Sequence, residues 1–191
     1  MSIIKIGKLI NPIEFEDYLN AADLLPVIVH KYGTTIDIPD YPCWMKYTGE
    51  LNVVGSISFS RHTFKHPLLK EMVDKVVDIL TPIFTYKPQP ERIHILKTEG
   101  SIVRHRDESG RMSCINIGIK NSSIAITKIS TDGNPSTFEQ NHTQHIIEEG
   151  YGYLLNTNQY HAVSCEVSTP RYLLTYGFGE TYDKIKDKFK L

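Results

Sequence analysis

Arg92-Ile-His-Ile-Leu-Lys-Thr98, then Glu99-Gly100, then Ser101-Ile-Val-Arg-His-Arg-Asp107 is the stretch that decides the fold. Two short apolar runs meet at a turn signal, and this texture continues to the end of the chain, as expected of an all-β sandwich or barrel. The candidate strands are Arg92 to Thr98, Ser101 to Arg104, Met112 to Ile119, Ile124 to Ile129, Gln144 to Glu148, Tyr151 to Asn156, Ala162 to Val167 and Arg171 to Phe178. Glu108-Ser-Gly110, Asn121-Ser-Ser, Asp132-Gly-Asn-Pro135, Glu149-Gly150 and Ser168-Thr-Pro170 separate them with turn-forming residues. The second run closes on His105-Arg-Asp107. Alternate residues at the end of a strand share a face, so His105 and Asp107 offer an imidazole and a carboxylate to a common point.

The chain before Arg92 reads differently. Asn11-Pro-Ile-Glu-Phe-Glu sets an N-cap residue, a proline at the first helical position and early acidic residues, which predicts a helix ending before Pro26. Lys31 to Tyr47, with Pro39, Pro42 and the lone Trp44, has no steady period and predicts an irregular loop whose aromatics serve packing, the favoured reading, or a substrate rim. Val53 to Phe59 is a plausible strand. From His66-Pro67 onward, Leu69, Met72, Val73, Val76 and Leu80 recur at helical spacing and predict a helix covering one face of a sheet. Pro82, Pro88 and Pro90 then form a connector, and Tyr182 to Lys190 reads as a short charged helix or a frayed end. The expected architecture is mainly β, a double-stranded β-helix or jelly roll braced by N-terminal helices. It forms a single domain over 1–191: residues 1–90 are a helical or irregular part supporting the barrel, and 91–180 are the jelly-roll core.

Composition narrows the functional classes. Twenty-one Lys and Arg against 22 Asp and Glu leave a net charge of -1, without the basic footprint of a nucleic-acid binder. Cys43, Cys114 and Cys165 are odd in number and widely spaced, so neither a disulfide framework nor a structural zinc site is suggested. No window has the length of a signal peptide or a membrane span, and the expected location is the cytoplasm. His62 and His66 are weak zinc candidates because Pro67 starts the helix at that point, and His142 and His145 read as solvent-facing.

Two residues far down the chain complete the His-x-Asp pair. His161 opens one late strand and Arg171 opens the last, ten residues on. In a jelly roll, strands distant in sequence become neighbours, so His105, Asp107 and His161 can converge. Two histidines and one carboxylate on one face of a metal leave the other face open, an arrangement suited to non-haem Fe(II). An arginine inside a barrel calls for an anion, and its fork matches a carboxylate. Arg104, Arg106 and Arg111 crowd the same mouth, either as surface charge or to capture an acidic group.

This pattern resembles the Fe(II)- and 2-oxoglutarate-dependent oxygenases. Within them, Glu149-Gly-Tyr-Gly-Tyr-Leu-Leu-Asn-Thr-Asn-Gln-Tyr-His-Ala-Val and Ile93-His-Ile-Leu-Lys-Thr-Glu-Gly are most similar to the aspartyl/asparaginyl β-hydroxylase branch and its proline-hydroxylating relatives. The resemblance covers roughly Arg92 to Phe178. It implies that His105, Asp107 and His161 bind iron and that Arg171 binds the distal carboxylate of 2-oxoglutarate. Asn116 and His94 fall where that branch carries a His and a Ser near the cosubstrate, and Leu173 departs from the Arg-x-Ser of many members. The implied activity is a dioxygenase that uses Fe(II), 2-oxoglutarate and O2 to hydroxylate an amino-acid, peptide or protein side chain, releasing succinate and CO2. No nucleic-acid or membrane partner is expected. Two other readings stay open: a cupin-like metal-binding or isomerase protein without 2-oxoglutarate chemistry, and a catalytically silent interaction module.

Overall fold

The computed structural model describes residues 2–31, 41–48, 55–58, 65–107, 110–166 and 168–189. His62 and residues 32–40 of the expected loop lie outside them. Eight strands from the second half of the chain alternate between two facing sheets. These are β5 (Ile93–Thr98), β6 (Ile102–His105), β7 (Ser113–Lys120), β8 (Ile126–Ser130), β9 (His142–Ile146), β10 (Tyr151–Leu155), β11 (His161–Ser164) and β12 (Arg171–Phe178). β5, β7, β10 and β12 join one sheet, while β6, β8, β9 and β11 form the other in the order β6-β11-β8-β9. That switching from sheet to sheet is the winding of a double-stranded β-helix, and every pairing within it is antiparallel.

The N-terminal part adds four strands to the larger sheet, where the sequence predicts one, at Val53 to Phe59. β1 (Ile3–Lys8) pairs with β10 at one edge, and β2 (Val27–Lys31), β3 (Trp44–Thr48) and β4 (Gly55–Ser58) extend the sheet beyond β5. β2 and β3 run parallel, so Lys31 and residues 44–47 are strand where an irregular loop is predicted. Each is only five residues long. Proline-rich flanks hide their period, and pairing to a distant edge makes up for weak local signal. Trp44 does serve packing: it is buried and its Nε1 donates to the Ala22 carbonyl at 2.8 Å.

Strand alternation separates two cores. Ile115, Ile117 and Ile119 of β7 and Tyr172, Leu174 and Tyr176 of β12 face α1 (Glu16–Asp23) and α2 (Pro67–Leu80). The predicted stripe of α2, Leu69, Met72, Val73, Val76 and Leu80, is buried there. The intervening residues, Cys114 and Leu173, turn into the space between the sheets with Ile129, Tyr153 and Leu155. This inner wall carries the site. The C-terminal α3 (Tyr182–Lys186) is helical and buries Tyr182 and Ile185, so it is docked and not frayed. No helix among the described residues is long and apolar enough to cross a membrane.

Candidate metal centre

His105 ends β6 and His161 begins β11, and the two are direct partners across the antiparallel ladder. Their rings lie 4.2 Å apart, centroid to centroid. Asp107 follows β6 by two residues, and its backbone N–H donates to the Thr157 carbonyl at 2.9 Å, which fixes the turn out of the strand. Potential ligand atoms of His105, Asp107 and His161 all lie within 4.8 Å of one another. Among the described residues no other His, Cys, Asp or Glu group is arranged in this way.

Backbone carbonyls orient both imidazoles. His105 Nδ1 lies 2.9 Å from the Val103 carbonyl and His161 Nδ1 lies 3.0 Å from that of Gln159. Donation from Nδ1 leaves each Nε2 as the lone-pair nitrogen, the tautomer a metal requires. Burial, followed by the neighbouring His105, lowers His161 to about 4, so the ring is neutral at pH 7. The donor set of two imidazoles and one carboxylate fits a divalent metal with open positions.

Asp107 has a second partner. Its Oδ1 is 3.7 Å from His105 Nε2, while Oδ2 forms an ion pair with Arg111 Nε at 2.9 Å, out of line for a hydrogen bond. The arginines of the mouth thus divide. Arg104 is exposed, donates to the Pro135 carbonyl and sits over the Phe138 ring. Arg106 is exposed with its guanidinium over Tyr160, and Arg111 alone reaches the carboxylate of the cluster.

Arg171 opens β12 facing inward and is 3% exposed. Its Nε donates to Thr98 Oγ1 at 3.2 Å, whereas Nη1 has no hydrogen-bond partner among the described residues. Burial lowers its pKa to about 10, the sign of a cation held where water solvates it poorly. Leu173 packs in the inner core, and Thr98 on the neighbouring strand supplies the hydroxyl that Arg171 meets. The sequence pattern does not reveal this contact, because it depends on cross-strand register.

His94, Thr175 and Asn116 form one row across β5, β12 and β7 on the wall that also bears Arg171. Burial, then the charge of Arg111, lowers His94 to about 4. Asn116 Oδ1 accepts from the Cys114 thiol at 3.5 Å, and burial raises Cys114, which keeps it a protonated thiol. His142 and His145 are half-buried, contrary to the solvent-facing expectation. His142 stacks on Phe138 and bonds its carbonyl, and burial lowers His145. Neither joins the cluster.

The two inner histidines make folding pH-sensitive. Both have folded pKa values of about 4 against an ordinary 6.5, so between these limits the unfolded chain binds protons that the fold excludes. Stability of the metal-free protein is therefore expected to fall as pH drops from 6.5 toward 4. The slope is at most about 1.4 kcal/mol per pH unit for each histidine. Urea unfolding across this range measures it, and a His94→Gln variant should show a shallower decline.

No family model matches the chain, and no curated protein matches it. Solved structures do. The non-haem α-ketoglutarate-dependent epimerase SnoN from nogalamycin biosynthesis aligns with 91% of this chain and 76% of its own, at 9% identity and a TM-score of 0.55. HygX from Streptomyces hygroscopicus, with nickel and 2-oxoglutarate bound, aligns over 92% and 82%, at 10% identity and a TM-score of 0.52. The non-haem α-ketoglutarate-dependent carbocyclase SnoK aligns over 91% and 78%, at 11% identity and a TM-score of 0.50. At such identities the likeness is one of fold, the double-stranded β-helix.

Proposed function

We propose that this chain is an Fe(II)- and 2-oxoglutarate-dependent dioxygenase that hydroxylates an amino-acid, peptide or protein side chain. The observation that carries the reading is the pairing of His105, Asp107 and His161 as a metal-ligand cluster with a buried Arg171 whose guanidinium retains a free N–H donor. A metal alone does not account for Arg171. An inward-facing cation at the start of β12 suits a ligand that spans the barrel with an acid at its far end, as 2-oxoglutarate does.

In this reading His105 and His161 hold the metal through Nε2, and Asp107 supplies one negative charge. Arg171, steadied by Thr98, receives the distal carboxylate, while Asn116 and His94 on the adjacent wall offer polar contacts to the same ligand. The iron, once bound with 2-oxoglutarate and O2, supplies the oxidant for a C–H bond, with succinate and CO2 as co-products. Leu173, Leu155 and Ile129 keep the space between the sheets apolar, which restricts water. The solved relatives with this fold whose names include α-ketoglutarate or 2-oxoglutarate are consistent with the reading.

Anaerobic titration of the Fe(II)-loaded protein with 2-oxoglutarate tests it. The expected result is a weak visible charge-transfer band from the chelated keto acid, saturating at one equivalent per chain. Iron binding without the band would favour the cupin-like reading, and failure to bind iron would leave a structural cluster.

A further inference from the structure

Asp107 presents two oxygens with different surroundings. Oδ1 faces His105, and Oδ2 faces Arg111. Backbone contacts hold Arg111 in place. Its carbonyl accepts from Thr157 Oγ1 at 2.8 Å, and the next residue, Met112, donates its N–H to the Phe178 carbonyl at 2.8 Å. Thr157 also accepts the Asp107 N–H, so one buried threonine ties down both ends of the Asp107–Arg111 segment. The arginine side chain then lies across Gly177 of β12. A Cβ at that position would come within 3.1 Å of Arg111 Cγ and 3.2 Å of Cδ. Gly177 leaves room for the Arg111 stem, which a Cβ there would push back by a few tenths of an ångström.

From this geometry we infer that Arg111, seated on Gly177, is a positioning residue that restricts Asp107 to metal binding through Oδ1 alone. The inference rests on the metal reading above and deepens it. A carboxylate free to rotate can chelate with both oxygens and occupy an extra coordination position. A keto acid bound through two atoms, together with O2, needs three positions beside the three protein ligands. An arginine that engages Oδ2 by charge keeps the third position open and fixes the carboxylate before metal arrives, the role outer partners play for metal ligands generally. Lysine offers a point charge in place of a planar fork and reproduces this only in part.

Cobalt(II) is the probe, because its visible ligand-field spectrum reports coordination number without turnover. The full chain, Arg111→Met, Arg111→Lys and Gly177→Val are each titrated with Co(II), and thermal melts check that each variant folds. Arg111→Met is expected to bind Co(II) about 10- to 100-fold more weakly, the usual cost of losing an outer-shell partner. Its spectrum should also change. Arg111→Lys should recover part of the affinity. Gly177→Val, which removes no polar group, should shift the spectrum in the same direction by displacing the arginine. If Arg111→Met melts lower but binds Co(II) with the affinity and spectrum of the unaltered protein, Arg111 merely packs and the inference is overturned alone. If the unaltered protein takes up no Co(II) or Fe(II), the metal reading itself fails. Should Arg111→Met not fold, unchanged spectra in Arg111→Lys and Gly177→Val overturn the inference equally.

Discussion

His161→Ala is expected to abolish 2-oxoglutarate turnover and to weaken Fe(II) binding by more than about 100-fold, the upper end of what loss of a mere outer-shell partner costs. The side chain is buried, its Nδ1 is already engaged by the Gln159 carbonyl, and its ring faces His105 across the ladder. Removing it takes one of the three proposed ligands and leaves His105 and Asp107 to hold the metal. The backbone pairing of β11 with β6 and β8 does not depend on the imidazole, so the variant should fold. It should in fact lose part of the acid sensitivity of the unaltered chain, because a ring that must be buried uncharged is gone. Calorimetric titration with Fe(II) under argon, beside a thermal melt, separates the two effects. Retained iron affinity would place the metal elsewhere and dissolve the cluster as a functional unit.

The reach of the sequence was uneven for a physical reason. His105, Asp107, His161 and Arg171 stand out because strand ends and a ten-residue spacing are properties of the chain itself. The eight core strands are equally legible, since short apolar runs and turn residues alternate in order. What escaped depends on register. Thr98 serves Arg171 because β5 lies beside β12 with those two residues opposite, and no local pattern announces it. Arg111 reads like Arg104 and Arg106 in sequence, and differs in lying across Gly177, sixty-six residues away, with its guanidinium beside Asp107. β2 and β3 were hidden in the same way. Their five-residue runs become strands through pairing with each other and with the extended sheet, which is tertiary context acting on weak local preference.

Arg171→Met should make the ligand-free protein more stable and the loaded protein inert. In the ligand-free fold the guanidinium is nearly excluded from water, donates to the Thr98 hydroxyl, and has its pKa lowered to about 10 by burial. No carboxylate is paired with it among the described residues. Replacing a poorly compensated buried charge with an apolar side chain of similar length is often worth about 1–4 kcal/mol of added stability. At this chain length that corresponds to a rise in melting temperature of about 2–4 °C per kcal/mol. The same change removes the charged partner proposed for the far end of 2-oxoglutarate. Losing one side of a buried, hydrogen-bonded ion pair costs about 2–5 kcal/mol, so cosubstrate affinity should fall roughly 30- to several-thousand-fold. Differential scanning calorimetry and anaerobic 2-oxoglutarate titration on one preparation read both signs. A drop in stability without ligand would mean that Arg171 is structural, whereas a gain in stability with unchanged 2-oxoglutarate affinity would show that the cosubstrate is anchored by other residues. Only the opposed pair of effects identifies a charge kept buried, at a cost to the fold, for the sake of an anion that arrives later.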